Sequence, residues 1–216
     1  MTDQKNSGNI GLADLMKSET WDLHTEAETT GFINQILRGT ASLQHYISFL
    51  KNLQPIYETM ESSYEWLESY PALSPYVGHQ IARSDSIAFD LEHLTALCND
   101  PVCPAIFEST RNYQASVETA LNKNHPAMVA HIYVRYLGDL NGGLVLQKLL
   151  GKHLDLQKDC LTFYSFPNIE NLTKFKSGFR EALNNLSLDE DSKRQSVVAA
   201  RNAFSFNINL SKTLEA

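Results

Sequence analysis

Apolar residues recur at helical spacing along almost the whole chain, and only ten glycines and seven prolines in 216 residues punctuate them. Leu12, Leu15, Met16, Leu23 and Ala27 share one face, which predicts a first helix from about Leu12 to Glu28. Leu43, Tyr46, Ile47, Leu50, Leu53, Tyr57 and Met60 carry the period on through Trp66. Pro55 is expected to kink or divide that stretch, because it lacks an amide hydrogen and its ring crowds the preceding turn. Pro71–Pro75 is expected as a loop, and a further helix from about Gly78 to Cys98. Pro104 and Pro126 each stand where a helix can open, since a first-turn N–H has no partner to lose. The first of these helices carries Ile106, Phe107, Tyr113, Val117 and Leu121; the second runs to Leu150 with Gly151 as its stop. Ser165–Ile169 is the one candidate for extended chain. Thr173–Leu186 and Leu188–Leu214 finish the sequence, with Ser187 and Glu190 as a capping-box pair. There is no repeat, low-complexity run or linker. The reading is all-α: one domain over 12–216 behind a flexible segment over 1–11.

Composition narrows the function. A net charge of −7 argues against general nucleic-acid binding, which needs a clustered positive surface. Cys98, Cys103 and Cys160 have the wrong number and parity for a disulfide framework, so a reducing cytoplasm is the simpler setting. The start is polar and lacks a signal pattern. No run of about 18 apolar residues exists to span a membrane, and residues 207–216 carry no apolar tail.

The most informative segment is His131-Ile132-Tyr133-Val134-Arg135-Tyr136-Leu137-Gly138-Asp139-Leu140-Asn141-Gly142-Gly143. Three of the ten glycines fall within six residues of otherwise helical pattern, and each costs roughly 1 kcal/mol against alanine inside a helix. Two accounts fit. One is close helix packing, where a missing side chain lets backbones approach. The other is a flat ligand resting on bare backbone. Arg135, Asp139 and Gly143 follow at four-residue spacing, so a charged pair and the bare patch share a stripe. That pair is either a solvated surface pair or a carboxylate organising water beside the patch.

Two further groupings carry chemistry. Lys17 and His24 are seven residues apart, so on one continuous helix they project from the same face, with Glu28 a turn beyond. His24 is either a structural histidine or a ligand for a metal centre. Lys174, Lys176 and Arg180 form a local basic patch on an acidic chain; it is ordinary surface charge or a seat for paired carboxylates. Cys103-Pro104 reads simply as a helix start, and no HExxH or paired-cysteine spacing suggests a metal site of that kind.

Taken together these residues resemble the heme oxygenase family. The resemblance runs from about Leu12 to Leu214. It is carried by His131-x-Tyr133-x-Arg135-Tyr136-Leu137-Gly138-Asp139-Leu140-x-Gly142-Gly143, by Leu23-His24-Thr25-Glu26-Ala27-Glu28, and by Ser165-Phe166-Pro167-Asn168-Ile169 with Thr173-Lys174-Phe175-Lys176. It implies a helical bundle with heme b, substrate and cofactor at once, sandwiched between a proximal and a distal helix. His24 would ligate the iron and Glu28 help orient it. Gly138, Gly142 and Gly143 would lie over the distal face, and Asp139 would hold the water that delivers a proton to bound oxygen. Tyr57, Tyr113, Arg135 and Asn207 would extend that network. Lys17, Tyr133, Lys176 and Arg180 would bind the propionates, and Phe204 would wall the ring. One histidine leaves the other side of the iron open for oxygen. The products would be biliverdin, carbon monoxide and ferrous iron, with electrons from an external donor such as ferredoxin or a flavin-containing reductase, and the chain a monomer. Asn141 and Leu144 depart from the serine and glutamine usual there; Asn141 can still hydrogen bond and Leu144 is expected to face packing.

Three other classes stand beside this reading. A heme carrier needs His24 and the basic patch but not Asp139 with its glycines. A thiaminase-like helical enzyme needs a cysteine nucleophile among acidic residues. An interaction bundle needs no ligand at all.

Overall fold

In the computed structural model, which describes residues 10–98, 104–123 and 126–214, the apolar stripes close on one another as ten α-helices among the described residues. These are α1 (Leu12–Glu19), α2 (Trp21–Thr29), α3 (Gly31–Arg38), α4 (Leu43–Glu61) and α5 (Tyr64–Glu68). They continue as α6 (Ser84–Ala96), α7 (Glu108–Asn122), α8 (Ala127–His153), α9 (Leu172–Asn184) and α10 (Glu190–Thr213). The two longest, α8 and α10, lie against each other, and α4 packs on α6 and α7. The all-α expectation holds, and no strand occurs among the described residues.

The core is rich in aromatic rings: Tyr46, Tyr57, Tyr113, Tyr136, Tyr164, Phe32, Phe163 and Phe179 are fully buried. Such rings bury large apolar area, but each phenol brings a hydroxyl that needs a partner inside. Those hydroxyls give the interior its chemistry.

Several boundaries differ from the sequence reading, each for a local reason. The predicted first helix is two, because at Thr20 the backbone leaves helical values and its hydroxyl turns back to the Met16 carbonyl at 2.7 Å. Lys17 and His24 therefore sit on different helices. A helix over Gly31–Arg38 was not expected; Gly31 at φ +62° and Gly39 at φ +72° bracket it in left-handed backbone open to glycine. Pro55 neither divides α4 nor ends it, and the helix runs on to Glu61. Gly78 begins a turn, so α6 starts at Ser84; α7 starts at Glu108, beyond Pro104. Gly151 does not stop α8, which continues to His153. The cap of α10 is Asp189, which accepts from the Ser192 amide at 2.7 Å, and not Ser187. Ser165–Ile169 is a loop after two short 3-10 turns. Leu144 is 51% exposed and does not face packing. The 1–11 segment and Cys103 lie, except for residues 10 and 11, outside the described residues.

One staple fixes the loop that backs the site. Asp90 of α6 accepts from the amides of Thr162 and Phe163, each at 2.8 Å, and from the Thr162 hydroxyl at 2.6 Å. The buried Arg83 guanidinium donates to the carbonyls of Phe163 (3.1 Å) and Ser165, and lies 4.0 Å over the Phe166 ring. Charge-assisted bonds at both ends press this loop, with Tyr164, against α8.

Candidate active site

The bundle interior contains one closed polar chain. Arg135 of α8 donates from Nε and Nη2 to the Tyr57 hydroxyl at 3.0 and 2.7 Å, and from Nη1 to Asn207 Oδ1 at 2.6 Å. Tyr57 in turn donates to Asp139 Oδ2, and Arg135 Nη2 lies 3.5 Å from Asp139 Oδ1. Arg135 and Asp139 are each only 9% exposed, so this is no solvated surface pair. Burial pushes the Asp139 carboxyl above its usual range, while Arg135 and the Tyr57 hydroxyl pull it back. The result is a carboxyl easy to protonate, joined to a phenol that donates to it. Tyr113 stands beside this cluster; burial pushes its hydroxyl up, and its ring stacks on Phe206 at 5.2 Å.

The three glycines divide by surroundings. A side-chain carbon added at Gly138 or Gly142 would meet nothing within 4 Å, whereas at Gly143 it would come to 3.0 Å of the Tyr164 ring. Gly138 and Gly142 thus present bare backbone to open space, and Gly143 is a packing glycine. The packing account holds at Gly143, and Gly138 and Gly142 have the open surroundings that the ligand account needs. Val145, two helical turns after Gly138, is 55% exposed beside them, as an apolar ligand seat requires.

Helix α2 is built otherwise. None of its residues is buried, and the His24 side chain keeps 47% of its surface exposed. Its imidazole lies parallel to Trp21 at 5.8 Å and edge-on to Phe204 of α10 at 6.0 Å. Nδ1 is 3.8 Å from Glu28, and Nε2 has no hydrogen-bond partner among the described residues. Two ion pairs hold the helix to α10: Arg201 grips Asp22 through two bonds of 3.0 Å, and Lys212 meets Glu26 at 2.7 Å. Phe204 and Asn207 are three residues apart on α10, so one turn of that helix touches both His24 and Arg135.

The cations form a third group. Asn184 at the end of α9 accepts from the amides of Ala13 (2.8 Å) and Asp14 (3.2 Å), which pins the start of α1 and so places Lys17 relative to α9. Lys17, Lys176 and Arg180 make no ion pair among the described residues. Tyr133 is half-buried near Arg180; burial raises its phenol and Arg180 pulls it back. Cations without an ion-pair partner are the kind of group that receives a ligand's carboxylates.

The structure therefore brings Tyr57, Arg135, Asp139 and Asn207 together by hydrogen bonds, sets Tyr113 beside them, and places Phe204 with Glu28 around His24. Gly143 is not part of the bare surface. Sequence reasoning missed Trp21 over His24 and the Arg201 and Lys212 anchors, whose partners lie 179 and 186 residues away. Among the described residues no cluster of three His, Cys, Asp or Glu side chains could hold a bare metal ion, so an iron centre here would have to bring its own equatorial ligands. An exposed imidazole, a bare-backbone seat and unpaired cations fit that group.

Helical fold and site together define an all-α protein whose interior polar cluster lies on the helix that also presents bare backbone. The heme oxygenase family model matches residues 10–213, and the chain belongs to that family. Chicken heme oxygenase 1 is 32% identical over 209 residues, covering 94% of this chain and 70% of the relative. Heme oxygenase 1 of the cyanobacterium Synechocystis is 29% identical over 207 residues, with 96% and 86% covered. Among solved structures, the Synechocystis heme oxygenase-1 complex with heme superposes with a TM-score of 0.86 at 29% identity, covering 95% of this chain and 93% of that one. The Leptospira interrogans heme oxygenase gives 0.85 at 26%, covering 94% and 100%.

Proposed function

We propose that the chain cleaves heme, with oxygen and reductant, to biliverdin, carbon monoxide and ferrous iron, and that the heme lies between α2 and α8. The observation that carries this is the bare backbone of Gly138 and Gly142 facing open space on the helix that also holds the buried Tyr57–Asp139–Arg135 cluster. A carrier needs the seat but gains nothing from an internal carboxyl tuned for protonation. Cys160 does not suit a thiaminase-like nucleophile: burial and then the neighbouring Asp159 carboxylate push its thiol pKa up.

Bound heme supplies the iron that takes up oxygen and the ring that is oxidised. The chain supplies the rest. His24 would hold the iron through its imidazole, with the Glu28 carboxylate 3.8 Å from Nδ1 beside it. Phe204 covers one ring edge. Lys17, Tyr133, Lys176 and Arg180 hold the propionates and so set the in-plane rotation. Asp139, its carboxyl pushed up by burial, takes up and passes on a proton at that place, hydrogen-bonded by Tyr57 and held by Arg135, itself steered by Asn207; Tyr113 stands beside the cluster. Without side chains at Gly138 and Gly142, this stretch of α8 would leave room beside a bound ring. Cations holding the propionate edge would favour cleavage at the α carbon, opposite the propionates.

Electrons come from an external donor, ferredoxin or a flavin-containing reductase, docking on the side that carries Lys148, Lys152, Lys174 and Lys176; the first three are exposed. None of the described helices is long and apolar enough to cross a membrane, and the working form is a cytoplasmic monomer. Hemin, a reductant system and oxygen test the reading: loss of the Soret band with growth of a bilin spectrum supports it, and a heme complex that survives unchanged overturns it.

A further inference from the structure

Two buried phenols are left out of the cluster described above. Tyr46 of α4 and Tyr164 of the stapled loop are 0% and 2% exposed, and their rings stack at 6.4 Å and 11°. Neither hydroxyl has a hydrogen-bond partner among the described residues. Phenylalanine would fill both places with no polar atom to satisfy. A buried hydroxyl without a partner costs on the order of 1–3 kcal/mol, so two side by side call for a ligand.

A third polar group reaches the same place. Asp90, fully buried, accepts two bonds at Oδ1 from Thr162 and one at Oδ2 from Phe163 N, which leaves lone-pair capacity on Oδ2. It anchors Thr162 and Phe163, the two residues that precede Tyr164, and so stands at the base of that ring; burial first, and then its charge, push both phenol pKa values up. Tyr164 also feels the charges of Asp139 and Arg135. Its ring rests on Gly143, one helical turn beyond Asp139. The pair thus stands directly behind the distal helix.

We propose that Tyr46, Tyr164 and Asp90 bind an ordered internal water, and that Tyr164 is a positioning residue linking this water to the Asp139 cluster. One water has the two donors and two acceptors to serve three such groups at once. It accepts from the phenols or donates to Asp90 without moving a backbone atom. It also keeps a hydrogen-bonding path behind Gly143 where an all-phenylalanine core would be dry.

The first test needs no heme. Tyr46→Phe, Tyr164→Phe and the double variant are melted as ligand-free protein. A bridging water predicts that each single variant loses about 2–4 °C in Tm, and that the double variant loses no more than the worse single one. Unchanged or raised Tm in the single variants, or losses that add, would mean that the hydroxyls are truly unpartnered, and the proposal falls. The second test rests on the heme reading. In the heme complex, the pH midpoint of the absorption change should move by about half a unit in Tyr164→Phe and by less in Tyr46→Phe. Identical midpoints in all three proteins would remove the link to Asp139. Failure of the wild-type chain to bind heme would sink the functional reading while leaving the first test intact.

Discussion

The neighbourhoods of Asp139 and His24 are held by opposite means. Around Asp139 the buried Tyr57 and Arg135 and the half-buried Asn207 come from three helices and share one network. Around His24 the helix buries nothing, and surface ion pairs to Arg201 and Lys212 hold it in place. Exposed pairs contribute about 1 kcal/mol or less, whereas breaking a buried charge pair costs several. The difference fits the proposed division of labour, in which the buried Asp139 side is rigid before any ligand arrives and the proposed iron-binding side stays accessible.

The largest effect that could break this comparison is on stability. Asp139→Ala leaves Arg135 buried with a phenol and an amide but no counter-charge, and should cost about 3–5 kcal/mol in urea unfolding. His24→Ala removes a half-exposed ring and should change stability by no more than about 0.5 kcal/mol, yet on the proposed reading it should abolish turnover with loss of the iron ligand. Equal losses from the two substitutions would erase the distinction.

Next in size is an acid sensitivity confined to the buried side. His131 of α8 is 1% exposed, with Nδ1 unpartnered among the described residues, and burial lowers its pKa from 6.5 to about 4. The unfolded chain therefore takes up this proton first as pH falls below about 6.5. Stability is lost progressively until about pH 4, by about 3 kcal/mol in all. Asp139 and Asp90, whose folded carboxyls are raised, act in the opposite sense at the low end. Comparing His131→Phe with wild type isolates the histidine: the variant should lose less stability between pH 6.5 and 4, and parallel curves would refute the assignment.

A smaller effect separates the glycines. Gly138→Ala should leave the ligand-free protein as stable or up to about 1 kcal/mol more so, through helix propensity, while weakening heme binding measured by titration. Gly143→Ala meets Tyr164 and should forfeit that gain with little direct effect on heme. The reverse pattern would put the bare surface elsewhere. Smallest of all on stability is the Lys176→Ala/Arg180→Ala pair. Each charge-assisted contact to a propionate is worth roughly 1.5–3 kcal/mol, so losing both should yield mixed biliverdin isomers with turnover largely kept. A purely α product would mean that α8, not the cations, sets the orientation.

Much of this arrangement was legible in the sequence because it is local. Helical period exposed α4, α8 and α10, and a run such as Arg135–Asp139–Gly143 carries its own geometry. What stayed hidden depends on distant partners or one backbone angle. The break at Thr20 follows from a hydroxyl returning to Met16, which spacing cannot distinguish from continuous helix. The pairing of Asp22 with Arg201, and the division of three adjacent glycines into two bare and one packed, were settled by tertiary neighbours. Pro55 was over-read, since a helix can absorb one proline when α6 and α7 pack along it.

The central claim, that a rigid protonation site faces an iron ligand on an exposed helix, is tested most directly by following one absorption spectrum in three proteins. Wild type, His24→Ala and Asp139→Ala are each given hemin, then reductant and oxygen. The account predicts that the wild-type Soret band gives way to a bilin spectrum. It predicts that Asp139→Ala keeps a wild-type heme spectrum but forms little biliverdin, and that His24→Ala shows an altered heme spectrum from the start. Biliverdin formed at the wild-type rate by Asp139→Ala, or an unaltered heme spectrum in His24→Ala, would contradict it.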